Sequence, residues 1–84
     1  MSDWIDELAQ GLEVEGPTAA ETDHILRIAR DVAHRGQRRD TPLASFLIGM
    51  HVARRTADGA ARDIALDDAI AITDSLLPPA PERP

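Results

Sequence analysis

Few side chains in this sequence can do chemistry, and their spacing decides what that chemistry could be. His24, His34 and His51 are its only imidazoles, ten and seventeen residues apart, with Asp31 three residues before His34 on the same helical face. A zinc site draws its ligands from compact spacings such as His-x3-His on one helix. These histidines lack that spacing, so no metal site is expected. His34 reads as a last-turn residue suited to the negative end of a helix, and His51 as a boundary residue of another. There is no cysteine, which removes thiolate zinc sites, disulfides and cysteine nucleophiles. Ser2, Ser45 and Ser75 lack the glycine-flanked turn of a nucleophile elbow, and no Gly-rich phosphate loop is present. Asp67 and Asp68 are sequence neighbours, so on a helix they point to different sides and cannot form a general acid–base pair. No catalytic residue, metal or cofactor is therefore expected, and the chain reads as a non-enzyme.

The arginines are more suggestive. Residues 1–23 hold seven acids and no base, residues 24–55 hold seven arginines and two acids, and residues 56–84 hold six acids and two arginines, for a net charge of −6. Arg35, Arg38 and Arg39 precede Thr41, where a helix is expected to start. Guanidinium forks and free helix-terminal amides both suit phosphate, so these four residues form a candidate anion site. The alternative is that the arginines balance the acidic helices and the negative end of the helix before them. Nucleic acid is not an expected partner, because phosphate neutralisation supplies most non-specific affinity and the net charge has the wrong sign.

Four helices must position these residues, expected over 3–11, 19–35, 42–57 and 66–77. Ser2 can cap the first, whose apolar face is Trp4, Ile5, Leu8 and Leu12, and Gly11 is its expected left-handed stop. Thr18-Ala19-Ala20-Glu21 has the spacing of a capping box, and Ile25, Ile28, Ala29 and Val32, widened by Leu26 and Ala33, carry a stripe as far as Gly36. Thr41-Pro42 starts the third helix, since proline at the first helical position gives up only an amide that had no partner. Leu43, Phe46, Leu47 and Met50 line one face while Ile48 and Val52 lie on another, so this helix is expected to be central, with Phe46 in the core. Gly49 within it predicts a close helix–helix crossing. Gly59 ends the helix, and Leu66, Ala69, Ile70, Thr73, Leu76 and Leu77 mark the fourth, with Asp67 and Asp68 near its start. No period-two segment long enough for a strand occurs.

The fold expected is thus an all-α, compact four-helix domain over residues 1–77, followed by a flexible Pro-rich tail over 78–84. A composition of 43% hydrophobic and 29% charged residues is that of an ordinary globular protein. The chain is small enough to bury only roughly 60–65% of its unfolded surface, so its core should be thin. That leaves apolar surface on the short first and last helices, and a two-fold homodimer covering Trp4 or the Leu76-Leu77 end is one expectation. Trp4 is otherwise expected to pack in the core. No signal peptide and no membrane-spanning segment is expected, and a cytoplasmic location fits.

The segment Ile28-Ala29-Arg30-Asp31-Val32-Ala33-His34, with Thr41-Pro42-Leu43-Ala44-Ser45-Phe46-Leu47-Ile48-Gly49 after it and Trp4-Ile5-Asp6 before it, resembles a small actinobacterial all-α family of unknown function. The resemblance covers roughly residues 3–77. Members of that family are found fused to, or encoded beside, molybdopterin-guanine dinucleotide biosynthesis proteins, the guanylyltransferases. It implies a role in molybdenum-cofactor assembly by association and not by mechanism, because a guanylyltransferase needs a longer α/β chain. The expected function is an accessory or protein-interaction domain with a protein partner. The alternative is a domain that binds a phosphorylated small molecule at the Arg-rich turn.

Overall fold

A computed structural model describes residues 3–80. Its helices are α1 Asp3–Gly11, α2 Ala19–Arg35, α3 Asp40–Ala57 and α4 Arg62–Leu76, and no strand occurs among the described residues. The all-α four-helix architecture is the one the sequence predicts. The bounds of α1 and α2 also agree, whereas α3 and α4 begin two and four residues earlier than expected.

At the end of α1 the Val14 amide donates to the Ala9 carbonyl at 3.0 Å and the Glu13 amide to Gln10 at 3.1 Å, which is a Schellman closure. The left-handed residue is Glu13, at φ 57°, and not Gly11 as expected. Gly11 is only the last helical residue. Ser2, the expected cap, lies outside the described residues. Trp4 is 63% exposed, which overturns its expected place in the core. The reason is reach: α1 lies against its own connector, where Gly16 sits beside Ala9 and Asp6, and none of its Cα atoms is within 8 Å of another helix.

The capping box opens α2 as expected. Glu21 N–H donates to Thr18 Oγ1 at 3.1 Å, and Thr18 N–H donates to Glu21 Oε1 at 2.9 Å, so two orphan amides are satisfied reciprocally. Ile28 and Val32 are buried and Ile25 packs partly against them. Leu26, expected to widen that stripe, is exposed instead.

In α3 the turn at Gln37–Arg39 winds directly into the helix, with Asp40 N–H on the Gln37 carbonyl at 3.0 Å and Thr41 N–H on Arg38 at 3.2 Å. Pro42 is therefore the third helical residue and not the first. It is still tolerated there, because the first four helical amides have no intrahelical partner. No residue of α3 is fully buried, and Phe46 is 68% exposed. The exposure of Phe46 overturns its expected place in the core, while α3 is central as expected in packing against both α2 and α4. A helix apolar on nearly every side has no unique inward face in its sequence. Ala44, Ile48 and Val52 face inward and Phe46 outward, with Arg55 and His51 facing Asp68 of α4 at 3.3 and 3.7 Å. Gly59, at φ 99°, ends the helix as predicted.

The early start of α4 escapes sequence reading because Ala61 supplies no side-chain cap. Asp63, not Asp67 or Asp68, is the acid of the first turn. Asp67 and Asp68 do point to different sides, toward His24 of α2 and Arg55 of α3. The core is Ile28 and Val32 against Leu66 and Ile70, with Ala65 and Ala69 letting the backbones approach. Thr73 is half-buried, whereas Leu76 of the expected stripe is 79% exposed. Because Arg62 at the start of α4 reaches Glu21 near the start of α2, and Arg35 at the end of α2 reaches the end of α4, those two helices run parallel. In the tail, Pro78–Ala80 are described, and the remainder of the expected flexible segment, 81–84, lies outside the described residues.

Candidate functional site

The Arg-rich segment divides in two. Arg35 turns its whole fork onto the end of α4, donating from Nε to the Pro78 carbonyl at 2.7 Å, from Nη2 to the Asp74 and Leu77 carbonyls at 3.1 and 3.2 Å, and from Nη1 to the Asp74 carboxylate. The last turn of α4 has no basic residue of its own. Arg35 supplies the missing cation, satisfying carbonyls at the end of α4 while its charge lies beside the negative ends of both parallel helices. Arg38 and Arg39 lie exposed on the turn before α3, and among the described residues neither pairs with a carboxylate. The Thr41 hydroxyl is buried without a hydrogen-bond partner among the described residues. The helix start beside them offers few amides, since those of Asp40 and Thr41 are taken by the turn and Pro42 has none.

The histidines are spread over the fold. His24 faces Asp67 at 3.5 Å, His51 faces Asp68 at 3.7 Å, and His34 is exposed near the end of α2. Among the described residues no three histidine or carboxylate side chains converge on one point.

A network that sequence reading missed lies at the other end of the bundle. Arg62 donates from Nη2 to Glu21 Oε1 at 2.8 Å and to the Gly16 carbonyl at 2.9 Å, and from Nη1 to Glu15 Oε2 at 3.1 Å. Glu21 is 8% exposed, so its carboxylate joins the cap of α2, the connector and the start of α4 in one charge-assisted cluster. Glu21 Oε1 takes both the Thr18 amide and Arg62, and Glu15 Oε2 and the Gly16 carbonyl take the rest of the fork, so the cluster holds three elements together. Its role is structural, and its partners are more than forty residues apart in sequence, beyond any local signal.

What remains is surface. Arg39, Leu43, Phe46, Met50 and Arg54 recur at intervals of three or four along α3 and so form one line on its outer side. Leu43, Phe46, Leu47 and Met50 are all more than half exposed. An open groove of about 500 Å³ runs along the α2 side of this helix, lined by Ile25, Ser45, Gly49 and Ala53. Another of about 360 Å³ runs along the α4 side past Leu47, Ile72 and Leu76. A Cβ at Gly49 would meet nothing within 4 Å, so the expected close crossing is absent and Gly49 borders open groove. Such an arrangement can hold an apolar partner between two basic ends.

No helix among the described residues is long and apolar enough to cross a membrane. Neither a curated protein nor a solved structure matches the chain. One family model matches residues 1–83, and so nearly the whole sequence is accounted for: the chain belongs to the domain-of-unknown-function family DUF6457.

Proposed function

We propose that this domain is a non-enzymatic protein-interaction module that docks its partner on the outer face of α3. One observation carries the reading: Leu43, Phe46, Leu47 and Met50 remain 55–68% exposed and contiguous in a chain whose core is otherwise short of large side chains. Together they present roughly 400 Å² of apolar surface, within the range of the largest patch on an ordinary monomer, which is often functional. Arg39 and Arg54 at the two ends favour an acidic partner. The resemblance of α2 and α3 to domains encoded beside guanylyltransferases makes a molybdenum-cofactor assembly protein the first partner to try. The test is affinity capture from the native host with wild-type protein and Phe46→Asp side by side. A partner held by the first and lost by the second is expected, and identical captures would reject the α3 face.

A second reading rests on Arg38 and Arg39, which are exposed and unengaged by carboxylates among the described residues. In it the turn binds a phosphorylated small molecule. Phosphate or a guanine nucleotide then shifts the backbone NMR signals of residues 38–44 selectively, and the Arg38→Ala, Arg39→Ala double variant abolishes the shifts. Weak shifts spread over all arginines and lost at physiological salt, where screening acts over ~8 Å, would leave only charge balance.

A further inference from the structure

We infer that the occupant of the α3 face is helix α1 of a second copy of this chain, exchanged reciprocally to close a two-fold dimer. This rests on the reading of the α3 face as a docking surface and assigns its partner. The face has an apolar centre, Leu43, Phe46 and Met50, between Arg39 and Arg54. α1 is apolar on one side and opposite in charge: Trp4 is 63% exposed and Ile5 and Leu8 beside it are 37 and 41% exposed, and the helix also carries the exposed acids Asp6 and Glu7. α1 carries no basic residue, and the segment through residue 23 has none either, whereas residues 24–55 hold seven arginines.

The apolar run from Leu43 to Met50 rises about 10 Å along α3, and that from Trp4 to Leu8 rises about 6 Å along α1, short enough to lie within the face. Within one chain Leu43, Phe46 and Met50 stay 55–68% exposed, and α1 packs against no other helix. Each copy therefore offers one ligand helix and one receiving face. Reciprocal exchange satisfies both on both chains and stops growth at two, as an isologous contact requires. Burying the exposed parts of the six apolar side chains twice removes roughly 1,300 Å² from water, at the lower edge of specific interfaces, and the dimer is sought at micromolar affinity.

Sedimentation equilibrium over about 1–500 µM brackets that affinity, with Trp4 fluorescence followed over the same series. Trp4 is the sole tryptophan, so its emission reports α1 alone. The expected result is a monomer–dimer equilibrium whose dimer fraction tracks a blue shift of Trp4 emission. Phe46→Asp, Met50→Asp and Trp4→Ala should each weaken association at least tenfold while keeping the helical circular dichroism of wild type, and Glu7→Arg should weaken it at low salt. A monomer throughout the range overturns the inference, as does a dimer in which Trp4 emission does not move or which survives Trp4→Ala. These failures leave the proposed function intact if Phe46→Asp still loses a captured partner, so the two can be told apart.

Discussion

Arg62→Met removes the guanidinium from the cluster at Glu21 while keeping an apolar stem of similar reach. Arg62 makes three hydrogen bonds, to Glu15, Gly16 and Glu21. The Glu15 side chain is 90% exposed, so that pair contributes little. The other two matter, because the Glu21 side chain is only 10% exposed and its carboxylate would keep only the Thr18 amide. Hydrogen bonds to charged groups are worth about 1.5–3 kcal/mol each, and water reaching the vacated site recovers part of that, so a loss of about 2–4 kcal/mol is expected. A domain of this size has about 4–12 kcal/mol in total. Since each kcal/mol moves Tm by about 4–8 °C, a fall of roughly 8–32 °C should follow. Urea and thermal melts followed by circular dichroism measure it. In a double-mutant cycle with Glu21→Gln, the second substitution should cost much less once the first is present. A loss under about 0.5 kcal/mol, or full additivity, would refute the argument that this pair ties α2 to α4.

Two further substitutions probe the rest of the account. Gly49→Ala should stabilise the monomer by up to about 1 kcal/mol in urea melts at low protein concentration, because helix propensity favours Ala and the added methyl meets nothing within 4 Å; a destabilisation would mean that α3 is more closely covered than described. Arg35→Lys should lower stability by about 1–3 kcal/mol despite keeping the charge, since an ammonium cannot reproduce four fork-directed bonds to Asp74, Leu77 and Pro78; a wild-type melt would reduce Arg35 to simple charge balance.

The features legible in the sequence were the local ones. Thr18 and Glu21 announce the start of α2 because a capping box is a contact across three residues, and Gly59 announces the end of α3 because its left-handed turn is a property of one position. Ile28, Val32, Leu66 and Ile70 were legible as core because each lies on a stripe with a polar opposite face. α3 has no such contrast. Its inward face, Ala44, Ile48 and Val52, is no more apolar than the outer one, and that is where the Phe46 expectation failed. The start of α4 was hidden because nothing at Ala60-Ala61 marks a cap, and the tasks of Arg35 and Arg62 were hidden because their partners lie in other helices. The candidate surface was therefore visible as an apolar run but read as interior, since a one-dimensional pattern cannot tell a buried face from one kept for a partner.

The most direct test of the central claim is the equilibrium unfolding of wild type and Phe46→Asp over a series of protein concentrations. If the outer face of α3 is an interface and not core, both proteins should have the same unfolding free energy, within about 0.5 kcal/mol, at the lowest concentration. At higher concentration wild type alone should gain stability, because association stabilises the folded state by mass action. A loss of about 3–5 kcal/mol in Phe46→Asp at every concentration would place Phe46 in the core and contradict the account.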